Sequence, residues 1–134
     1  MKIFFYIATA IILFACKTTQ TTHMTGNDRD KHGCLPSAGY VWSDVRKDCI
    51  RTFEVGVPLY KFQKPYTSSA AYIVFSSDST YAEAYIPGIE SNIIMQQKET
   101  DIWKGHGYTL IQTDKTQYIL YKKQQIIYSN HQQL

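Results

Sequence analysis

The chain has 134 residues, with 14 lysines and arginines against 11 acids, a formal charge of +3 and 11 tyrosines. Its basic side chains are interleaved with acids, as in Asp28-Arg29-Asp30-Lys31 and Asp44-Val45-Arg46-Lys47-Asp48, so there is no basic stripe for a phosphate backbone and nucleic acid is set aside as a partner. The length suits one domain with one small core.

Met1 and Lys2 give a short positive start, and Ile3 to Phe14 gives an apolar run too short to span a bilayer as a stable anchor. Leu13-Phe14-Ala15-Cys16 closes that run with an aliphatic residue, a small residue and then cysteine. This stretch resembles the lipobox of a bacterial lipoprotein signal peptide. The resemblance implies that residues 1–15 are removed, that the Cys16 thiol is acylated, and that the protein is held on the lipid bilayer of the cell envelope through Cys16. Lys17 stands where an aspartate would retain such a protein at the inner membrane, which points to the outer membrane. Removal of the leader takes away Lys2 and no acid, so the formal charge falls from +3 to +2.

The segment from Lys17 to Asn27 is rich in threonine and has no apolar periodicity, which suits a solvated tether. The expected organisation is a signal peptide over 1–15, a lipidated tether over 16–32 and a single β-rich domain over 33–134, with the boundary between Asp28 and Gly33. With Cys16 consumed by lipid, Cys34 and Cys49 remain as an even pair in an oxidising compartment and are expected to form a disulfide.

Gly39 to Ser43 and Cys49 to Phe53 are β-prone runs around the polar Asp44 to Asp48, which fits a hairpin turn or one helical turn capped by Ser43; the hairpin is preferred. Val55 to Tyr66 carries Gly56, Pro58 and Pro65 and reads as an edge segment or a loop crossing. Ala71 to Phe75 is a strand and Ser76 to Ser79 a turn. Thr80 to Ile86 alternates Tyr81, Glu83 and Tyr85 against Ala82, Ala84 and Ile86, which separates two strand faces. Pro87-Gly88 ends it. Strands follow at Asn92 to Gln97, Tyr108 to Thr113, Gln117 to Lys122 and Gln125 to Ser129, with turns at Lys104-Gly105-His106-Gly107, Asp114-Lys115-Thr116 and Lys123-Gln124. Leu120, Ile126 and Tyr128 are expected to pack inward, and 131–134 to fray. No window shows a helical face. The fold class is mainly β: a small antiparallel meander or barrel of about six to eight strands, with an N-terminal cap stapled by Cys34 and Cys49.

Gly33-Cys34-Leu35-Pro36-Ser37-Ala38-Gly39-Tyr40-Val41-Trp42-Ser43, then Cys49-Ile50-Arg51 and Phe53-Glu54, resembles a segment of small lipoproteins of Gram-negative bacteria. The resemblance implies an address and no activity. Within it, Gly39 can adopt positive φ at a turn, and Trp42 offers the largest apolar surface. Tyr40 and Trp42 then read either as core of the stapled cap or as part of an aromatic recognition patch with Tyr72, Tyr81, Tyr85, Trp103 and Tyr108. Asp78-Ser79-Thr80 fits a short motif for O-glycosylation of exported proteins, with Ser79 as the acceptor, and a serine-rich turn explains the same residues.

Signals for chemistry are sparse. Asp28, Asp30 and His32-Gly33 begin like a calcium loop, but Gly39 stands where the bidentate glutamate is needed. The four histidines, His23, His32, His106 and His131, have no metal-ligand spacing, so no metal and no cofactor are expected. Glu83 and Glu90 read as carboxylates of a solvated sheet face, and there is no nucleophile elbow, zinc-protease motif or phosphate loop. The reading is therefore a non-catalytic binding or structural module, with an envelope protein or a glycan as partner. The alternative is an inhibitor of a host or envelope hydrolase. Ile102-Trp103-Lys104-Gly105 is similar to the last strands of small barrel lipoproteins that inhibit lysozyme, while their Ser-Gly-x-x-Tyr signature is absent and the charge of the chain complements a basic enzyme poorly.

Overall fold

The computed structural model describes residues 28–62 and 69–130. The leader, Cys16, the tether up to residue 27 and the C-terminal residues 131–134 lie outside the described residues. The chain opens with a 3₁₀ turn at Pro36–Ala38, then the strands β1 (Val41–Ser43) and β2 (Asp48–Ile50), and a single helical turn α1 (Thr52–Val55). Eight further strands follow: β3 (Val57–Lys61), β4 (Ala70–Phe75), β5 (Tyr81–Tyr85), β6 (Ile93–Glu99), β7 (Ile102–Gly105), β8 (Tyr108–Asp114), β9 (Gln117–Lys122) and β10 (Gln125–Ser129). Each of these pairs antiparallel with the next, and β10 returns to β3, so the meander closes into a barrel with no free edge.

Period-two alternation explains which side chains fill the barrel. Leu59, Ala71, Ile73, Ala82, Ala84 and Met95 are fully buried on the inner face, and Trp103, Tyr108, Leu110, Leu120 and Tyr128 complete the layer from the other half. An eight-stranded barrel has an interior just wide enough to be filled by side chains, and the alanines of β4 and β5 make room for the rings of β7, β8 and β10. The two faces that alternation separates in β5 are then told apart: Ala82, Ala84 and Ile86 face inward while Tyr81, Glu83 and Tyr85 face outward. Leu120 and Tyr128 are core residues, whereas Ile126 is half-buried at a bulge between Ile126 and Tyr128.

Two segments differ from the sequence reading. Val55 to Tyr66, expected as an edge or a crossing, carries β3 over Val57–Lys61, directly after α1, and β3 is the strand that closes the barrel; residues 63–66 lie outside the described residues. Pro58 is tolerated because β3 pairs with β4 over Val57 to Tyr60 but with β10 only through Tyr60 and Lys61, so the proline lies outside the closing seam. The second difference is β7, which takes Lys104 and Gly105 out of the expected turn. His106 and Gly107 alone make that turn, with φ 51° and 77°, the doubly positive geometry that matches strand twist in a two-residue hairpin. Gly105 is needed where it stands, because a Cβ there would collide with the Ile94 carbonyl oxygen and lie 3.0 Å from the Met95 Cα on β6. Gly105→Ala is accordingly expected to destabilise the barrel by about 2 kcal/mol through overpacking against rigid backbone, read as a lower denaturant midpoint; an unchanged midpoint would mean that β6 and β7 can part without cost.

The cap is built from Asp28 to Val55. Asp28 accepts from the Ser37 hydroxyl at 2.7 Å, and Asp30 accepts from the backbone N–H groups of His32 at 2.8 Å and Cys34 at 2.9 Å. Residues 28–32, placed by sequence at the end of the tether, thus carry hydrogen bonds into the cap, and the two aspartates that resemble a calcium loop serve as turn acceptors. Gly39 ends the 3₁₀ turn at φ 80°, a conformation glycine takes without strain. Cys34 and Cys49 are disulfide-bonded with a Cα–Cα distance of 5.5 Å. The segment Asp44 to Lys47 makes the hairpin turn, and Ser43 also caps it, its hydroxyl accepting from the Arg46 N–H at 3.1 Å.

Candidate functional site

The hairpin β1–β2 lies on the outer face of β4 and β5. Val74 and Glu83 are cross-strand partners there and point away from the barrel interior, yet both are fully buried. Glu83 is where cap and barrel are joined. Its carboxylate accepts from the Ser43 hydroxyl at 2.6 Å, from the Asp44 N–H at 3.1 Å and from the Asn92 side-chain amide. A carboxylate out of water is tolerable only when such donors replace its hydration. The Arg46 side chain donates to the Phe75 carbonyl, and Gly56 presses on Tyr72, a Cβ at 56 falling 3.1 Å from the Tyr72 Cβ. Glu83 is therefore not part of a solvated carboxylate pair: Glu90 sits exposed in the β5–β6 loop, and Glu83 is the buried acceptor that fixes the cap.

Beside this junction a groove of about 470 Å³ opens between cap and barrel. Trp42 of β1, Tyr72 of β4 and Tyr85 of β5 line it, with Pro87, Glu90 and Asn92 from the loop after β5. Tyr72 and Tyr85 stand directly opposite each other in the β4–β5 register, the closest cross-strand arrangement for two rings on one face. The Tyr85 hydroxyl donates to the Trp42 carbonyl at 3.1 Å, tying the barrel ring to the cap. Burial, and then the charge of Glu83 beside it, pushes the Tyr85 phenol above its ordinary range, so it stays a neutral donor. Trp42 is fixed twice: His32 stacks on it at 4.4 Å between ring centroids, and the indole N–H donates to Asp44 at 3.1 Å. The polar groups that converge on the groove are phenol, amide and carboxylate, suited to hydrogen-bonding and stacking against a bound molecule.

The aromatic residues proposed from sequence divide into three groups. Trp42, Tyr72 and Tyr85 come together in the groove. Trp103 and Tyr108 do not line this groove: at 3% and 6% exposure they are barrel core, and the Trp103 indole N–H donates to the Ser79 carbonyl at 2.7 Å. The stretch Ile102 to Gly105, similar to the last strands of lysozyme inhibitors, is β7, and its tryptophan faces inward. Tyr81 is exposed four residues along β5 from Tyr85, about 13 Å at the usual strand rise. Tyr40 is half-buried beneath the Arg51 guanidinium, 4.6 Å from its ring centroid. His32, Glu83, Glu90 and Asn92 were not assigned to the site by sequence; what brings them there is register and cap docking, and no local pattern marks either.

Ser79 sits exposed in the β4–β5 turn at φ 59°. Asp78 shapes that turn, accepting from the Ser76 hydroxyl at 2.7 Å and the Thr80 N–H at 3.0 Å. The Ser76 hydroxyl and the Thr80 N–H hold its carboxyl down at about 2, against an ordinary value of 3.8. Because the folded value is the lower one, the stabilisation is complete above the ordinary value and is lost as pH falls from there through about 2. Asp78→Asn should therefore be less stable than the parent at neutral pH, and the difference should vanish in that acid window; a gap that persists at the lowest pH would show that the carboxylate is not its source.

The fold and the groove define a class: a small closed antiparallel barrel carrying a disulfide-clamped hairpin, with an aromatic groove at their junction. Comparisons with known family models, with curated proteins and with solved structures returned no match.

Proposed function

We propose that the chain is a bacterial envelope lipoprotein, anchored in the outer membrane through acylated Cys16, whose β domain is a non-catalytic binding module for an envelope glycan or protein segment. The observation that carries the binding reading is the convergence of Trp42, Tyr72 and Tyr85, from three separate strands, on one groove of about 470 Å³. That volume falls in the range of small-molecule and side-chain pockets, and rings already held in place lose little entropy when a partner stacks on them. Tyr72 tests it best, since it is half-buried and has no part in fixing the cap through Glu83. Tyr72→Ala should abolish capture of a partner from cross-linked envelopes while the fold stays intact, and equal capture by parent and variant would remove the groove from consideration. The anchor is tested separately: Cys16→Ala should leave the domain folded and strip it from the outer-membrane fraction. Retention of the variant there would overturn the lipid anchor and leave the binding reading standing.

A further inference from the structure

A second cavity, of about 230 Å³, lies at the end of the barrel where β3 and β9 finish and β10 begins. Its floor is Ile86, Tyr108 and Tyr128, all at or below 9% exposure, and Ile126 and Ile127 form a wall. Two lysines complete it. Lys61 follows the inward-facing Leu59 by two residues on β3, and Lys122 follows the inward-facing Leu120 by two residues on β9. Period-two alternation therefore places both on the inner face, one turn of the pleat above the core. Lys61 is the register partner of Tyr128, and Lys122 is the register partner of both Tyr108 and Gln125, so the two ammonium groups flank β10 from either side. Lys122 extends over the Tyr108 ring, its Nζ 5.5 Å from the centroid. Among the described residues, no acid lines the cavity and neither lysine has a carboxylate partner.

Two inward cations above an apolar floor call for a ligand with a negative head and an apolar tail. We propose that the barrel mouth is a binding site for a small amphipathic anion, a medium-chain carboxylate or alkyl phosphate, with the alkyl part on Ile86, Tyr108 and Tyr128 and the anionic head between Lys61 and Lys122. The size suggests the tail: at the ~30 Å³ of a water molecule for each methylene, the volume of about 230 Å³ matches about seven or eight carbons. The site is independent of the aromatic groove reading, although Ile86, Pro87 and Ile89 line both cavities.

The test uses the full chain in nanodiscs of zwitterionic lipid, with isoleucine methyl groups labelled for NMR. Octanoate should shift the methyls of Ile86, Ile126 and Ile127 in a saturable way and leave that of Ile73, sealed in the core, unmoved. Octyl phosphate should do the same, whereas octanol should bind at least tenfold more weakly and inorganic phosphate should produce no methyl shift. Lys61→Glu with Lys122→Glu, both exposed positions, should weaken octanoate by tenfold or more and leave octanol unchanged. Nanodiscs doped with an anionic phospholipid and no free octanoate separate a membrane headgroup from a soluble ligand: a site for a soluble short-chain anion stays unshifted there. Equal binding of octanol and octanoate, indifference to the double substitution, or shifts produced by the anionic bilayer alone would each overturn the proposal.

Discussion

Replacing Glu83 with alanine is expected to cost about 3 kcal/mol and to undock the cap from the barrel. The Ser43 hydroxyl, the Asp44 N–H and the Asn92 amide all lose their acceptor at once, and buried donors left without a partner carry their full desolvation penalty. Glu83→Gln should cost about half as much, because a carbonyl oxygen is kept and the Ser43 hydroxyl can rotate to accept. Hydrogen exchange would locate the effect. Protection should fall in β1 and β2 and persist in β8 and β9, whose pairing does not involve the cap. Uniform loss across the barrel would show that Glu83 supports the whole fold rather than the joint. Tyr85 should report the same event, since its hydroxyl would lose both the Trp42 carbonyl and its burial.

The second large effect is expected at the staple. Cys34→Ala or Cys49→Ala removes a bridge across a sequence separation of 15, which in the chain-entropy account is worth about 3 kcal/mol. Cys34 is also buried to 1% exposure, so its loss adds a packing defect that Cys49, half-buried, does not; the Cys34 variant should be the weaker of the two. Guanidinium midpoints with and without reductant measure this directly. Reductant should lower the midpoint of the parent to near that of Cys49→Ala and leave both variants unmoved, and a parent indifferent to reductant would show that the bridge constrains nothing the fold needs. Because neither cysteine lies in the barrel core, the β3–β10 meander should survive in both variants while the groove, which needs Trp42 in place, is lost.

The strands from Ala70 onward were legible because each alternates over five to seven residues between turns rich in Gly, Asp, Ser or Lys. β7 was not, since its four residues hold only two large apolar side chains and end in Gly105, which reads as turn until its contact with β6 is known. β3 was hidden by Pro58, whose effect depends on which neighbour that part of the strand lacks. The aromatic residues show the same limit from the other side: Tyr85 and Tyr108 look alike in sequence, and only closure of the barrel puts one in the groove and the other in the core.

By itself, the sequence determined the β character of the chain, the division of β5 into two unlike faces and the pairing of Cys34 with Cys49, because alternation and cysteine arithmetic are local or compositional signals. Only the tertiary structure decided that the meander closes, that the cap docks on the outside of β4 and β5, and that Glu83 is buried there by Ser43 and Asp44, 40 and 39 residues away along the chain. The physical reason is that a strand has two faces of equal standing in its own sequence. Which of them meets a core, a cap or water is settled by what packs against it, and that partner comes from elsewhere in the chain.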